Sequence, residues 1–142
     1  MIVLDTNVLS ELMRREPARE VVDWVRAQPP NLLCTTAVNV AEVRYGIRRL
    51  PRGRRRSTLH EAADEVFSTF ADVILPFAAT AADHYATVVV ERERAGAPIS
   101  GFDAQIAAIC RDHSATLATR NVADFQGLGL SLVDPWRAAS RH

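Results

Sequence analysis

The chain has 142 residues, 48% of them hydrophobic and 24% charged, and its 17 basic and 17 acidic side chains balance to zero. That length and composition suit one globular domain with a real core, and they exclude a disordered or fibrous chain. Zero net charge excludes a global basic field for nucleic acid, though not a local patch.

In chain order, Ile2-Val3-Leu4 is a continuous apolar run rich in β-branched residues, the pattern of a strand buried on both faces. A short helix is expected over Thr6 to Met13. A second, opened by Pro17 in its first turn, carries Val21, Val22, Trp24 and Val25 and stops before Pro29-Pro30. Leu32 to Thr35 reads as a second strand. Thr36 then caps a helix running to about Leu50, with Val40, Val43, Ile47 and Leu50 as its core stripe. Pro51-Arg52-Gly53 breaks it. A helix from about Thr58 to Phe70 and a strand from Val73 to Phe77 follow. A long helix from about Thr80 to Ala95 ends at Gly96 and Pro98. Ser100 opens another, with Phe102, Ile106 and Ile109 turned inward. Thr116 to Thr119 and Leu130 to Val133 are the fourth and fifth strands, and Arg141-His142 is a frayed tail. Strands alternating with helices predict an α/β fold in a single domain over residues 1–142. Its core is a mainly parallel sheet of four or five strands flanked by helices.

Several chemistries lack their residues. Cys34 and Cys110 lie far apart in apolar surroundings with no C-x-x-C and no nearby His, which argues against a zinc site. The histidines at 60, 84, 113 and 142 show no ligand spacing, and nothing suggests a Ser-His-Asp triad. There is no G-x-x-x-x-G-K and no lysine at all, which removes P-loop and receiver-type phosphoryl chemistry. The apolar runs are too short to span a bilayer, and the N-terminus shows no signal pattern, so the reading is a cytoplasmic protein with reduced thiols.

What remains is acidic. Ligands of open parallel sheets bind at the carboxyl ends of the strands. Asp5 follows the first strand, Glu42 lies on the helix after the second, Asp103 starts the helix before the fourth, and Asn121 and Asp124 follow the fourth. Each has an ordinary structural role: Asp5 as a helix cap, Asp103 as part of a Ser100-x-x-Asp103 capping box, Glu42 on a solvated face, Asp124 in a turn. Taken together they are harder to dismiss. Glu42 and Asp103 sit among apolar neighbours, and carboxylates on buried elements carry a large desolvation cost unless compensated. With no lysine to do so, a bound divalent cation would offset their repulsion.

The segments Met1-Ile-Val-Leu-Asp5-Thr-Asn-Val-Leu-Ser-Glu11, Val40-Ala-Glu42-Val-Arg-Tyr-Gly46, Ser100-Gly-Phe-Asp103-Ala-Gln-Ile-Ala-Ala108 and Leu117-Ala-Thr-Arg-Asn121-Val-Ala-Asp-Phe125 resemble the four motifs of a PIN domain. The likeness is closest to the VapC and FitB-like toxins of bacterial toxin–antitoxin modules. It implies Mg²⁺- or Mn²⁺-dependent cleavage of RNA, with Asp5, Glu42 and Asp103 at the first three acidic positions. The fourth departs: many members have Asp where this chain has Asn121. Either Asn121 offers a neutral oxygen or Asp124 supplies the charge. The resemblance also implies a cognate antitoxin, a homodimer and higher assembly with the antitoxin.

The chemistry expected of such a set has Asp5 and Asp103 anchoring the ion, with Glu42 acting directly or through water. Thr6 and Asn7 would orient the carboxylates by hydrogen bonds. Arg48, Arg49, Arg52, Arg54, Arg55 and Arg56 form the densest basic cluster and are candidates for RNA phosphates, with Arg120 a second candidate. Tyr45, Phe102 and Phe125 are expected to pack rather than stack on bases. Trp24 and Trp136 read as core or interface anchors, and Leu12, Val21 and Trp24 as positions for a dimer contact. A second class of function stays open with Asn121 at the fourth position: a catalytically weak PIN-like module that binds RNA or protein.

Overall fold

A computed structural model describes residues 1–70 and 73–138, so the expected tail at Arg141-His142 lies outside the described residues. The strands are β1 (Ile2–Leu4), β2 (Leu33–Thr36), β3 (Ile74–Leu75), β4 (Thr116–Ala118) and β5 (Ser131–Val133). They form one sheet in the order β3-β2-β1-β4-β5, and every pairing is parallel. The helices are α1 (Thr6–Leu12), α2 (Arg19–Ala27), α3 (Ala37–Arg48), α4 (Arg54–Phe70), α5 (Ala79–Arg94), α6 (Gly101–His113), α7 (Val122–Phe125) and α8 (Pro135–Ala138). No helix among the described residues is long and apolar enough to cross a membrane.

Alternation along the strands builds two cores. Val3, Cys34 and Leu117 turn to one face, where Val88 of α5 and Ile106 and Ile109 of α6 cover them. Leu4, Leu33 and Ala118 turn to the other, beneath Val8 and Leu9 of α1, Val21 and Val25 of α2, Val43 and Ile47 of α3, and Phe67 of α4. Because side chains alternate with period two, a strand apolar at every position must be covered on both sides. Both cysteines are free and buried. The chain order reverses at β1, with β2 on one side and β4 on the other. The residues just past these three strands therefore meet at the switch point where open α/β sheets hold ligands.

The structure departs from expectation where local pattern meets the edge of the fold. The third strand shortens to Ile74–Leu75: it is the sheet's edge, only Leu75 is buried, and Pro76 has no N–H for the ladder. Helix α4 begins at Arg54, directly after Gly53, because arginine is a good helix former. Pro17 stands ahead of α2, whose N-cap is Ala18. On α3 the buried stripe is Val38, Val43 and Ile47; Val40 is half-buried, and Leu50 lies past the helix end. Phe102 is 55% exposed, not inward. Phe102 lies in the first turn of α6, ahead of the buried Ala104, Ile106 and Ala107.

Replacing Ile106 by Ala should lower the urea-unfolding free energy by about 2–5 kcal/mol, whereas Phe102→Ala should cost less than about 0.5 kcal/mol. Similar losses from the two variants would contradict this placement of α6.

Candidate active site

Asp5 is 5% exposed at the end of β1, and its carboxylate is held from three directions. Oδ1 accepts the Thr6 backbone N–H at 2.8 Å and the Asn39 side-chain amide at 2.9 Å; Oδ2 accepts the Thr119 hydroxyl at 2.8 Å. Asp5 is thus the N-cap of α1, as an Asp after a strand should be. The cap is only part of its role, since Asn39 comes from α3 and Thr119 from the end of β4. The Asp5 N–H also donates to the Ala118 carbonyl at 2.9 Å, which fixes β1 against β4 at this point.

The donors are themselves held. Thr36 caps α3: its hydroxyl accepts the Asn39 N–H at 3.1 Å and donates to Asn39 Oδ1 at 2.7 Å. The Asn39 amide is thereby aimed at Asp5 and at Thr6 Oγ1, 3.0 Å away. The Thr6 hydroxyl in turn donates a hydrogen bond to Glu42 Oε1 at 2.8 Å. On the other side, Asn7 Nδ2 donates to Thr119 Oγ1 at 3.2 Å, while Asn7 Oδ1 accepts the Arg120 N–H at 3.1 Å. Thr6 bonds directly to Asp5 and Glu42, whereas Asn7 bonds to Thr119 and the Arg120 N–H rather than to a carboxylate. Asn39 and Thr119 went unassigned in the sequence. The Thr36-x-x-Asn39 spacing, with Glu42 one turn further on, is the signal that marks Asn39.

Four carboxylates feel one another here. Burial raises the Asp5 carboxyl above the usual range, its three hydrogen bonds oppose that, and the Asp124 charge adds to the rise. Burial also raises Glu42, opposed by the Thr6 hydroxyl and reinforced by Asp5 and Asp103. Asp103, in the first turn of α6, is raised by burial and by Asp5 and Asp124, against a hydrogen bond with Ser100 and the charge of Arg92. Glu11, though only 7% exposed, belongs elsewhere: it accepts the Ala18 N–H at 2.9 Å and ties α1 to α2.

At the fourth position Asn121 contributes its backbone N–H to Thr119 Oγ1 at 3.1 Å, and its side chain is exposed. Asp124, on α7, is the residue whose charge reaches Asp5 and Asp103. Among the described residues, no three His, Cys, Asp or Glu side chains are arranged to hold a metal ion by themselves. The donor set nonetheless fits a hard cation: its ligands are all oxygen, they repel one another, and one side opens to solvent. Mg²⁺ keeps several waters and needs only one or two carboxylates from the protein.

The arginines divide. Arg48, Arg52 and Arg56 line a cleft of about 560 Å³ between α3 and α4. Arg54 and Arg55 are exposed on α4, and Arg49 lies over the Tyr45 ring, 5.9 Å from its centroid. Arg120 stacks 4.8 Å from the Trp136 ring centroid, in a groove of about 940 Å³ that Asn121 and Asp124 also line. The cation whose charge bears on Asp103 is Arg92, which donates to the Ala97 and Asp124 carbonyls at 2.6 and 2.8 Å. No local pattern announces it, because its partner Asp124 is 32 residues away. The aromatic expectation holds for Phe125, 1% exposed, and fails for Tyr45, 67% exposed, and for Phe102. Of the three positions considered for a dimer contact, Val21 is core, and Leu12 and Trp24 are half-buried against it.

Comparison with known proteins agrees with this geometry. A PIN domain family model matches residues 2–126. The VapC ribonuclease Y4jK of Sinorhizobium fredii is 39% identical over 98% of this chain and 100% of its own length. Toxin FitB of Neisseria gonorrhoeae is 36% identical over 96% of this chain and 99% of its own. The solved structure of FitAB bound to an IR36 DNA fragment superposes with a TM-score of 0.88 at 36% identity, covering 96% of both chains.

Asn39→Ala should lower stability by about 2–3 kcal/mol in urea unfolding, because it removes hydrogen bonds to a buried charge. A loss below about 0.5 kcal/mol would mean that Asn39 does not hold Asp5. The raised carboxyls give a second expectation. The folded state holds these protons more tightly than the unfolded chain. Cation-free stability is therefore drained as pH climbs from the ordinary values of 3.8 for Asp and 4.5 for Glu through the raised ones. Glu42→Gln should consequently gain on the parent as pH rises across that window, measured without divalent ions; a gap that closes with pH would reverse the sign.

Proposed function

The chain belongs to the PIN-domain family, in its VapC and FitB branch, and from that premise we propose that it is a Mg²⁺- or Mn²⁺-dependent endoribonuclease, the toxin of a toxin–antitoxin module. The observation that carries this reading is the convergence of Asp5, Glu42, Asp103 and Asp124, from four separate elements, on one end of the sheet. Asp5 and Asp103 are the residues that would hold the cation, with Glu42 direct or through water. Asp124 rather than Asn121 would supply the fourth charge. When bound, such a cation lowers the pKa of a water and shields charge on a phosphodiester.

The chain's own residues do the rest. The Thr6, Asn39 and Thr119 donors fix the direction of the Asp5 carboxylate, so that little reorganisation is needed when charge develops at the phosphate. Thr6 couples Glu42 to that geometry through one hydroxyl, which donates to Glu42 while accepting from Asn39. Arg92, bonded to the Asp124 carbonyl, would set where Asp103 and Asp124 lie relative to each other.

By the same reading the protein acts in the cytoplasm as a single PIN domain, as a homodimer, and is held in check by a cognate antitoxin, as the FitAB assembly suggests for its relative. A module that binds RNA or protein without cutting is the competing class. The charge of Asp124 beside the site supports the nuclease over it.

Purified protein should cleave single-stranded RNA with Mg²⁺ or Mn²⁺ and stop in excess chelator. Asp5→Ala and Asp103→Asn should each lower kcat/KM at least about a hundredfold, the scale of losing a preorganised electrostatic group. Cleavage no greater than that of Asp5→Ala would sink the nuclease reading in favour of the binding module.

A further inference from the structure

We infer that helix α3 carries a track for single-stranded RNA, leading from the acidic site to a phosphate-binding cleft where α3 turns into α4. The nuclease reading supplies the identity of the polymer; the track adds where the strand lies and which residues grip it.

The cleft provides the first observation. Arg48, Arg52 and Arg56 line it together with His60 and one acid, Glu61, and Ile47 contributes the apolar part. Among the described residues, the side chains of those three arginines have no ion pair or hydrogen bond, whereas Arg44 meets Asp64 at 2.8 Å and Arg111 meets Glu91 at 3.5 Å. Three unmatched guanidinium groups around one concavity repel one another until an anion enters, and guanidinium binds phosphate through two parallel hydrogen bonds.

The second observation is the path. At 100° per residue, Glu42, Tyr45 and Arg49 fall within about 60° of one another on α3, and Tyr45 and Arg49 lie about 5 and 10 Å along the axis from Glu42. Tyr45 is 67% exposed, and the Arg49 guanidinium lies 5.9 Å from its ring centroid. An exposed ring beside a cation, between a carboxylate site and an arginine cleft, is the alternation that single-strand binders use: bases stack while arginines track the backbone. An acidic protein segment would use the arginines but leave the ring without a role.

The test uses the full chain, chelator, and a labelled 2′-O-methyl RNA dodecamer that is not cleaved, with affinity read by fluorescence anisotropy across a salt series. The Arg52→Ala/Arg56→Ala variant should bind about tenfold more weakly, with the slope of log K against log salt shallower by about 1.4, since each single-strand phosphate contact contributes about 0.7. The Arg52→Lys/Arg56→Lys variant keeps the charges and should keep the slope. Tyr45→Ala should weaken binding about five- to tenfold at unchanged slope, within the range for one lost stack. Parent affinity and slope in the double alanine variant overturn the cleft. Parent affinity in Tyr45→Ala overturns the path, as does a change in oligomeric state without a change in RNA binding. Because binding is read without cleavage, protein that binds in this pattern but cuts nothing refutes the nuclease reading and leaves the track standing.

Discussion

The hydrogen-bonded burial of one carboxylate, Asp5, is the constraint on which the rest of the site depends. A charged group almost removed from water is tolerated only when its oxygens are satisfied. Here the donors come from the start of α1, from α3 and from the end of β4. Those are the elements that the sheet order brings together around β1. The fold and the site are therefore a single arrangement: the register of β1 against β2 and β4 decides whether Asn39 and Thr119 reach Asp5 at all.

The three donors do not cancel the cost of burial, and the Asp5, Glu42 and Asp103 carboxyls all sit above their ordinary range. The folded protein without a cation is thus electrostatically uncomfortable at neutral pH. Arg92 relieves one corner. Of the arginines considered for RNA, Arg48, Arg52 and Arg56 line the cleft at the far end of α3, while Arg120 stacks on Trp136 in the groove that Asp124 also lines. With no lysine in the chain, and with Arg92 the cation that bears on Asp103, the acidic set leaves room for a mobile cation. This physical asymmetry underlies the proposed function.

Much of this was legible in the sequence, for identifiable reasons. The unbroken apolar run Ile2-Val3-Leu4 announces a strand buried on both faces, and β2 and β4 lie within a residue of where their sequence places them. Thr36 and Ser100 marked two helix starts because capping chemistry is local. Asp5, Glu42 and Asp103 could be listed because they follow or begin such elements. What failed was whatever depends on distance in the chain or on position at a boundary. Arg92 reaches Asp124 across 32 residues, with no periodicity to reveal it. Phe102 has the right spacing to be core, yet it lies in the first turn of α6, ahead of that helix's buried residues. Tyr45 was expected to pack and is instead exposed on the face that carries Glu42. Asn39 is marked in the sequence only by its spacing from Thr36, because the reason for it, Asp5, lies 34 residues away at the start of α1.

The central claim is that burial raises these carboxyls above their usual range and that a divalent cation among them would offset that cost. Mn²⁺ titration calorimetry at mildly acidic pH, repeated in buffers of different ionisation enthalpy, measures it directly. Binding should release protons, and the release should shrink in Asp103→Asn and vanish with binding in Asp5→Asn. Binding that releases no protons, or that persists unchanged without the Asp5 carboxylate, would contradict the account.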